Sequence, residues 1–163
     1  MILDEVDLKI LELLQENGRL SHTAIGNQIG LTGPSVYSRV QRLERDGVIK
    51  GYAALLDAEK VGRGLAAFVR VGTLASADID SPFEQFVLNE PQIIECHDVD
   101  GEDSYILKVR TSSPQTLRTL LARLRSIPGV TRTITSISLI TIKEPGTAGL
   151  LVVDKPEETN KSN

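Results

Sequence analysis

Arg39, Arg42 and Arg45 recur every third residue within the segment 32–46, and Lys50 follows closely. Guanidinium groups clamp phosphates, and they bind guanine through two parallel hydrogen bonds. Ser35, Tyr37 and Ser38 add hydroxyls that can donate or accept at a base edge or a phosphate. Over residues 32–52 these four cations face only Glu44 and Asp46, although the chain as a whole carries a net charge of -4. Positive charge is therefore local, which suits placed phosphate contacts better than bulk attraction. The positions predict Ser35, Tyr37, Ser38 and Arg39 as base readers, with Arg42 as a reader or phosphate clamp. Arg45 and Lys50 would hold phosphates, and Thr32 would cap the helix that carries all of these but Lys50. An ordinary three-helix bundle with a solvated arginine face is the competing reading.

Other reactive types are sparse. Cys96 is the single cysteine, so neither an internal disulfide nor a cysteine metal cluster is expected. Cys96-His97-Asp98 tempts a metal or nucleophile reading, but neighbours on a strand point to opposite faces. A buried thiol and a polar strand residue are the readings adopted. His22 stands near a helix start, as a cap neighbour or phosphate contact. Asp98, Asp100, Glu102 and Asp103 surround Gly101 without the full calcium-loop spacing. They read as a solvated hairpin, or as a pocket in which backbone N–H groups hold the carboxylate of a small zwitterion and an acid holds its ammonium. A phosphate-binding glycine loop, a dinucleotide fingerprint and a nucleophile elbow are all missing from the sequence, so no enzyme and no cofactor is expected.

The elements that position the arginines can be read from caps and periodicity. Asp4 and Glu5 open a first helix, Val6, Ile10, Leu13 and Leu14 give it an apolar stripe, and Asn17-Gly18 ends it. Ser21 caps a short second helix with Ala24, Ile25 and Ile29 inward, stopped by Gly30. Thr32 caps the third, with Pro34 in its first turn and Val36, Val40 and Leu43 on its buried side. The spacing from Ser21 to Thr32 predicts a helix-turn-helix whose second helix spans about Thr32 to Asp46. Residues 48–57 read as a short strand or hairpin that would make the unit winged or strand-flanked.

The second half changes rhythm. Strands are predicted over Leu65–Val71, Ile93–Val99, Tyr105–Arg110 and Ile134–Ile142, with helices opening at Pro82 and Pro114. The order βαββαβ gives a ferredoxin-like sheet with helices on one face, so the whole chain is α+β. Leu139 and Val109, or their neighbours on the uncovered face, would expose apolar groups that a second copy would bury. The expected division is a helix-turn-helix domain at 1–50, a strand and hinge at 51–64, a ferredoxin-like domain at 65–143, and a polar tail at 144–163. Leu150–Val153 could add an edge strand to an assembly, and the polar end beyond reads as disordered. No run approaches about 18 apolar residues and the N-terminus has no leader pattern, so a cytoplasmic location is the default.

Both halves resemble the Lrp/AsnC family, the leucine-responsive or feast/famine regulators of bacteria and archaea, over about residues 3–143. Asp4, Asp7, Ile10, Leu11 and Leu14 look like the family's opening motif. Arg39, Val40, Leu43, Gly47, Val48 and Ile49 look like the end of its DNA-binding domain. Gly101, Tyr105, Leu107 and Val109 resemble its effector loop and strand, and Ile127-Pro128-Gly129-Val130, Arg132, Thr133 and Thr135 a second motif. The resemblance implies a dimer, often assembled into an octamer, that binds double-stranded promoter DNA. It implies a small amino acid held between subunits by Gly101, Glu102, Asp103 and Ser104, with Thr133, Thr135 and Ser136 of a partner closing the pocket. Ser104 departs from the pattern, because many members carry an acid there, and Asp103 would take over the role. The alternative is a sensor or scaffold that uses the helical module for protein contacts.

Overall fold

The computed structural model describes residues 2–74 and 81–144, and these divide into two compact units, Met1–Ala53 and Ala54–Asn163. The expected strand at Leu150–Val153 and the polar tail lie outside the described residues.

The first unit holds α1 (Glu5–Glu16), α2 (His22–Ile29) and α3 (Gly33–Arg45). Each starts where a side-chain oxygen replaces a missing intrahelical partner: Asp4, Ser21 and Thr32 accept from the backbone N–H groups of Asp7, Ala24 and Ser35. At α1 the arrangement is reciprocal, since the Asp7 carboxylate also accepts from the Asp4 N–H. Ile10, Ile25, Val36, Val40 and Leu43 are buried as one core. The α2–α3 turn is tight. Gly30 takes a left-handed conformation, φ 74°, and Leu31 N–H returns to the Gly26 carbonyl at 2.9 Å. A methyl group on Gly26 would stand 2.4 Å from the Leu31 carbonyl oxygen, so only glycine fits there.

Residues 48–57 form no strand, contrary to the sequence expectation. The stretch is apolar in places, and Tyr52 and Leu55 are exposed, but no strand among the described residues lies beside it to complete a ladder.

The second unit contains β1 (Leu65–Thr73), α4 (Pro82–Asn89), β2 (Ile93–Asp98), β3 (Tyr105–Thr111), α5 (Pro114–Arg125) and β4 (Val130–Ile137). The antiparallel sheet has the order β2-β3-β1-β4, the ferredoxin-like arrangement. Ala67, Val69, Val71, Leu107 and Val109 face Phe83 of α4 and Leu117, Leu120 and Leu124 of α5. Val109 is thus a core residue and does not belong to the bare face. Alternation places Phe68, Arg70, Ile106, Lys108, Arg110, Arg132 and Ile134 on the side without helices. Phe68 and Ile134 are 45% and 36% exposed there. β4 begins and ends earlier than its sequence suggested. Thr73 already pairs with Val130, and the pairing with β1 stops at Ala67↔Ile137, closed by the Ser138 N–H on the Ala66 carbonyl at 2.9 Å, with Leu139, Ile140 and Ile142 exposed beyond it.

Candidate functional site

Two faces of α3 have different fates. Val36, Val40 and Leu43 point into the core. Opposite them stand Pro34, Ser38, Gln41 and Arg45, three or four residues apart and all exposed. Ser38, Gln41, Arg42, Glu44 and Arg45 line a shallow depression on this surface. The Ser38 hydroxyl donates to the Pro34 carbonyl at 3.1 Å, which leaves its oxygen as an acceptor. Gln41 Nε2 donates to the Tyr37 hydroxyl at 2.6 Å, and the Tyr37 ring meets His22 edge-on at 5.3 Å. Arg45 donates through Nε to Asp46 at 3.1 Å and is otherwise open to solvent. Lys50 is exposed. Thr32 and Ser35 share a hydroxyl contact of 2.9 Å at the helix start. Glu44 accepts from Tyr52 at 2.9 Å; burial first, then that bond, push the Tyr52 phenol up.

Arg39, expected as a reader, and Arg42, expected as a reader or phosphate clamp, are engaged by carboxylates of α1 and its cap. Arg39 Nη1 donates to Asp4 at 2.7 Å and to Asp7 at 2.8 Å, and Arg42 Nη2 donates to Asp7 at 2.6 Å. The Asp7 side chain is 1% exposed. Both arginines therefore tie α3 to α1. Position 39 sits beside the Val36–Val40–Leu43 stripe, so its side chain leaves the helix toward α1 and away from the outward face. The Arg39 hydrogen bond, followed by the Asp7 N–H, holds the Asp4 carboxyl below its ordinary value. Sequence reading takes Asp4 and Glu5 as helix-start acids, quotes Asp7 only as a motif position, and leaves Gln41 out of the readers. Its place on the outward stripe, between Ser38 and Arg45, was the signal available.

The Gly101 loop is also strongly braced. Gly101 has φ 145°, a conformation that favours glycine. Ser104 anchors the loop to β1: its N–H donates to Val71 at 2.8 Å, and its hydroxyl oxygen accepts from the backbone and side chain of Thr73, both at 3.0 Å. Asp103 receives Arg132 Nη2 at 2.7 Å and lies 3.5 Å from Arg70. Arg132 also donates to the Glu102 carbonyl at 3.1 Å, while Glu102 itself is exposed. The expected partners on β4 do not share one surface. Thr133 and Thr135 lie on the helix-covered side and Ser136 on the bare side, as period-two alternation requires. Thr133 accepts from Arg125 at 2.8 Å, and the buried Thr135 hydroxyl has no hydrogen-bond partner among the described residues. Arg132, quoted only as a motif position, is the side chain that bridges β4 and the loop.

Cys96 and His97 fall on opposite sheet faces. Burial, then Glu84 and Asp98, push the Cys96 thiol up to about 11, so it stays protonated and inert at neutral pH. Among the described residues no cluster of His, Cys, Asp or Glu could hold a metal ion, and no helix is long and apolar enough to cross a membrane.

Comparison with known proteins matches residues 3–50 to a winged helix-turn-helix DNA-binding family and residues 66–148 to the Lrp/AsnC ligand binding domain. The leucine-responsive regulatory protein of Escherichia coli is 36% identical over 144 residues, covering 87% of this chain and 88% of that protein. The HTH-type transcriptional regulator FL11 of Pyrococcus horikoshii is 33% identical over 144 residues, covering 87% and 93%. A transcriptional regulator of Neisseria meningitidis, solved as a complex with L-Met, superposes with a TM-score of 0.82 at 34% identity, covering 88% of this chain and 94% of that one.

Proposed function

The chain belongs to the Lrp/AsnC family of transcriptional regulators, and from that premise we propose that it binds promoter duplexes sequence-specifically through the outward face of α3, as an oligomer built on its second unit. One observation carries the reading. Ser38, Gln41 and Arg45 form an exposed polar stripe on a helix whose other flanks are fixed by the core and by Asp7. A preorganised helix of this kind fits a major groove, with Arg45 and Lys50 placed for phosphates.

The Gly101 loop is our candidate for effector control. Asp103 is already matched by Arg70 and Arg132, so it does not serve an incoming ammonium. That role falls to the exposed Glu102, and the two guanidiniums suit a carboxylate. A small amino acid fits both requirements, and the Neisseria relative was solved with L-Met. A second copy supplies the remaining wall.

A salt-controlled titration tests the DNA reading. Arg45→Ala and Lys50→Ala should each flatten the slope of log affinity against log salt by about 0.9, the signature of one lost phosphate contact. Unchanged slopes in both variants, or an absence of salt-dependent duplex binding, would sink it and favour a protein-contact role. A panel of amino acids in the same titration reads the effector.

A further inference from the structure

We propose that Gln41 is the base-specific reader of α3, that it selects an A·T pair, and that Tyr37 is the positioning residue that presents it. The inference rests on the DNA-binding reading above. Its starting point is elimination along the helix. Arg39 and Arg42 are held by Asp4 and Asp7. Ser35 is engaged with Thr32, and the Ser38 proton is spent on the Pro34 carbonyl. Arg45 is the last residue of the helix, and its Nε is turned to Asp46. Gln41 stands at the middle of the exposed stripe with donor and acceptor capacity in hand.

Tyr37 and Gln41 are four residues apart and so share a helix face. The 2.6 Å contact uses one of the two Nε2 hydrogens. We take the hydrogen given to Tyr37 to be the one anti to Oε1, so that the other hydrogen and the Oε1 lone pairs remain side by side on one planar amide. Adenine offers the matching pair in the major groove, an N7 acceptor beside an N6 donor. Guanine offers two acceptors at the same places, so the amide oxygen would meet O6 with no proton between them. The Tyr37 hydroxyl limits the rotation of the amide before DNA arrives, and the His22 ring supports Tyr37 from its edge. A loosely held glutamine could flip its amide or turn away, and its selectivity would be lower.

The test uses the full chain in its native assembly. Wild-type protein first selects duplexes from a random-sequence pool. Affinity is then measured at fixed salt with each base pair of the selected site replaced in turn, and with 7-deazaadenine substituted for each adenine. One A·T pair per half-site should lose roughly 5- to 150-fold on replacement by G·C, the range of a bidentate base contact, and a large part of that on loss of N7 alone. Gln41→Ala should abolish the discrimination at that pair while keeping the salt slope and the preferences elsewhere. Tyr37→Phe should weaken discrimination at the same pair and at no other, a pattern that general loosening of the helix would not give. Gln41→Glu should shift the preference toward C·G, whose N4 group donates to a carboxylate. An unchanged base profile in Gln41→Ala overturns the proposal, as does a response to Tyr37→Phe spread over all positions. A wild-type chain that selects no duplex overturns the DNA-binding reading instead.

Discussion

Asp7 carries more of the first unit than its place in an opening helical turn suggests. Its carboxylate accepts from the Asp4 backbone, Arg39 and Arg42 while almost wholly excluded from water. Removing one member of a buried ion pair costs more than the pair contributes, because the remaining charge keeps its desolvation penalty. Here both guanidiniums reach solvent, at 30% and 38% exposure, and can partly rehydrate. Asp7→Asn should therefore cost about 2–3 kcal/mol, below the full range for a sealed pair. Urea denaturation of the variant reads this directly, and wild-type stability would contradict the clamp. The same substitution frees Arg42, while Arg39 keeps Asp4, so any folded fraction should show a steeper salt dependence toward duplex DNA than wild type. Nothing local in the sequence announces the Asp7 clamp. Asp4, Glu5 and Asp7 look alike as dipole-compatible acids, and only the third dimension separates a solvated acid from a buried one.

At the scale of elements, legibility follows from whether the cause is local. Ser21 and Thr32 each cap the helix that the sequence assigns to them, and Ser81 and Ser113 cap the helices expected to open at Pro82 and Pro114, since a hydroxyl and the N–H three residues on lie within one turn. Gly30 likewise stops α2 at its expected place. β4 was misplaced because its limits are set by its pairing with β1, which opens at Thr73↔Val130 and stops at Ala67↔Ile137, while alternation of Thr, Ser and Ile continues beyond. Residues 48–57 failed as a strand for the same reason. The effector residues Thr133, Thr135 and Ser136 came from the resemblance alone, and the pleat sets the first two on one face and Ser136 on the other. The turn between α2 and α3 offers a sharp test of element placement. Gly26→Ala puts a methyl group 2.4 Å from a backbone oxygen that has no side-chain freedom to yield. The two helices must separate, at about 1–3 kcal/mol of overpacking cost. Duplex affinity should fall even where the variant remains folded by circular dichroism, because α3 changes its angle to α2. Wild-type affinity in Gly26→Ala would mean that this close approach does not govern the reading helix.

The molecule as a whole joins a small reader to a sheet that is half covered. On the bare side Phe68, Ile106 and Ile134 form an apolar strip flanked by Arg70, Lys108, Arg110 and Arg132, with Glu95, Asp103 and Glu144 interleaved as partners. Most of these charges are neutralised within the chain, so the strip can meet a second copy without leaving many charges unmatched. Such a face on an isolated small domain would invite nonspecific pairing, and burial against its own symmetry mate removes the hazard. Phe68→Asp tests whether this face holds the assembly. It sets a charge among apolar groups at a position 45% exposed in the single chain, so the unit itself should tolerate the change. The assembly should not, because a desolvated, unpaired carboxylate would face its own symmetry copy. Sedimentation should then show a smaller species at concentrations where wild type remains associated. Duplex affinity should also fall by more than any local effect allows, since two linked readers gain from effective concentration and one reader does not. Placing Asp at exposed Leu88 on α4 provides the control, adding the same charge away from the bare face. If Phe68→Asp sediments like wild type, the copies associate elsewhere, and the spacing of readers on DNA must be set by another surface.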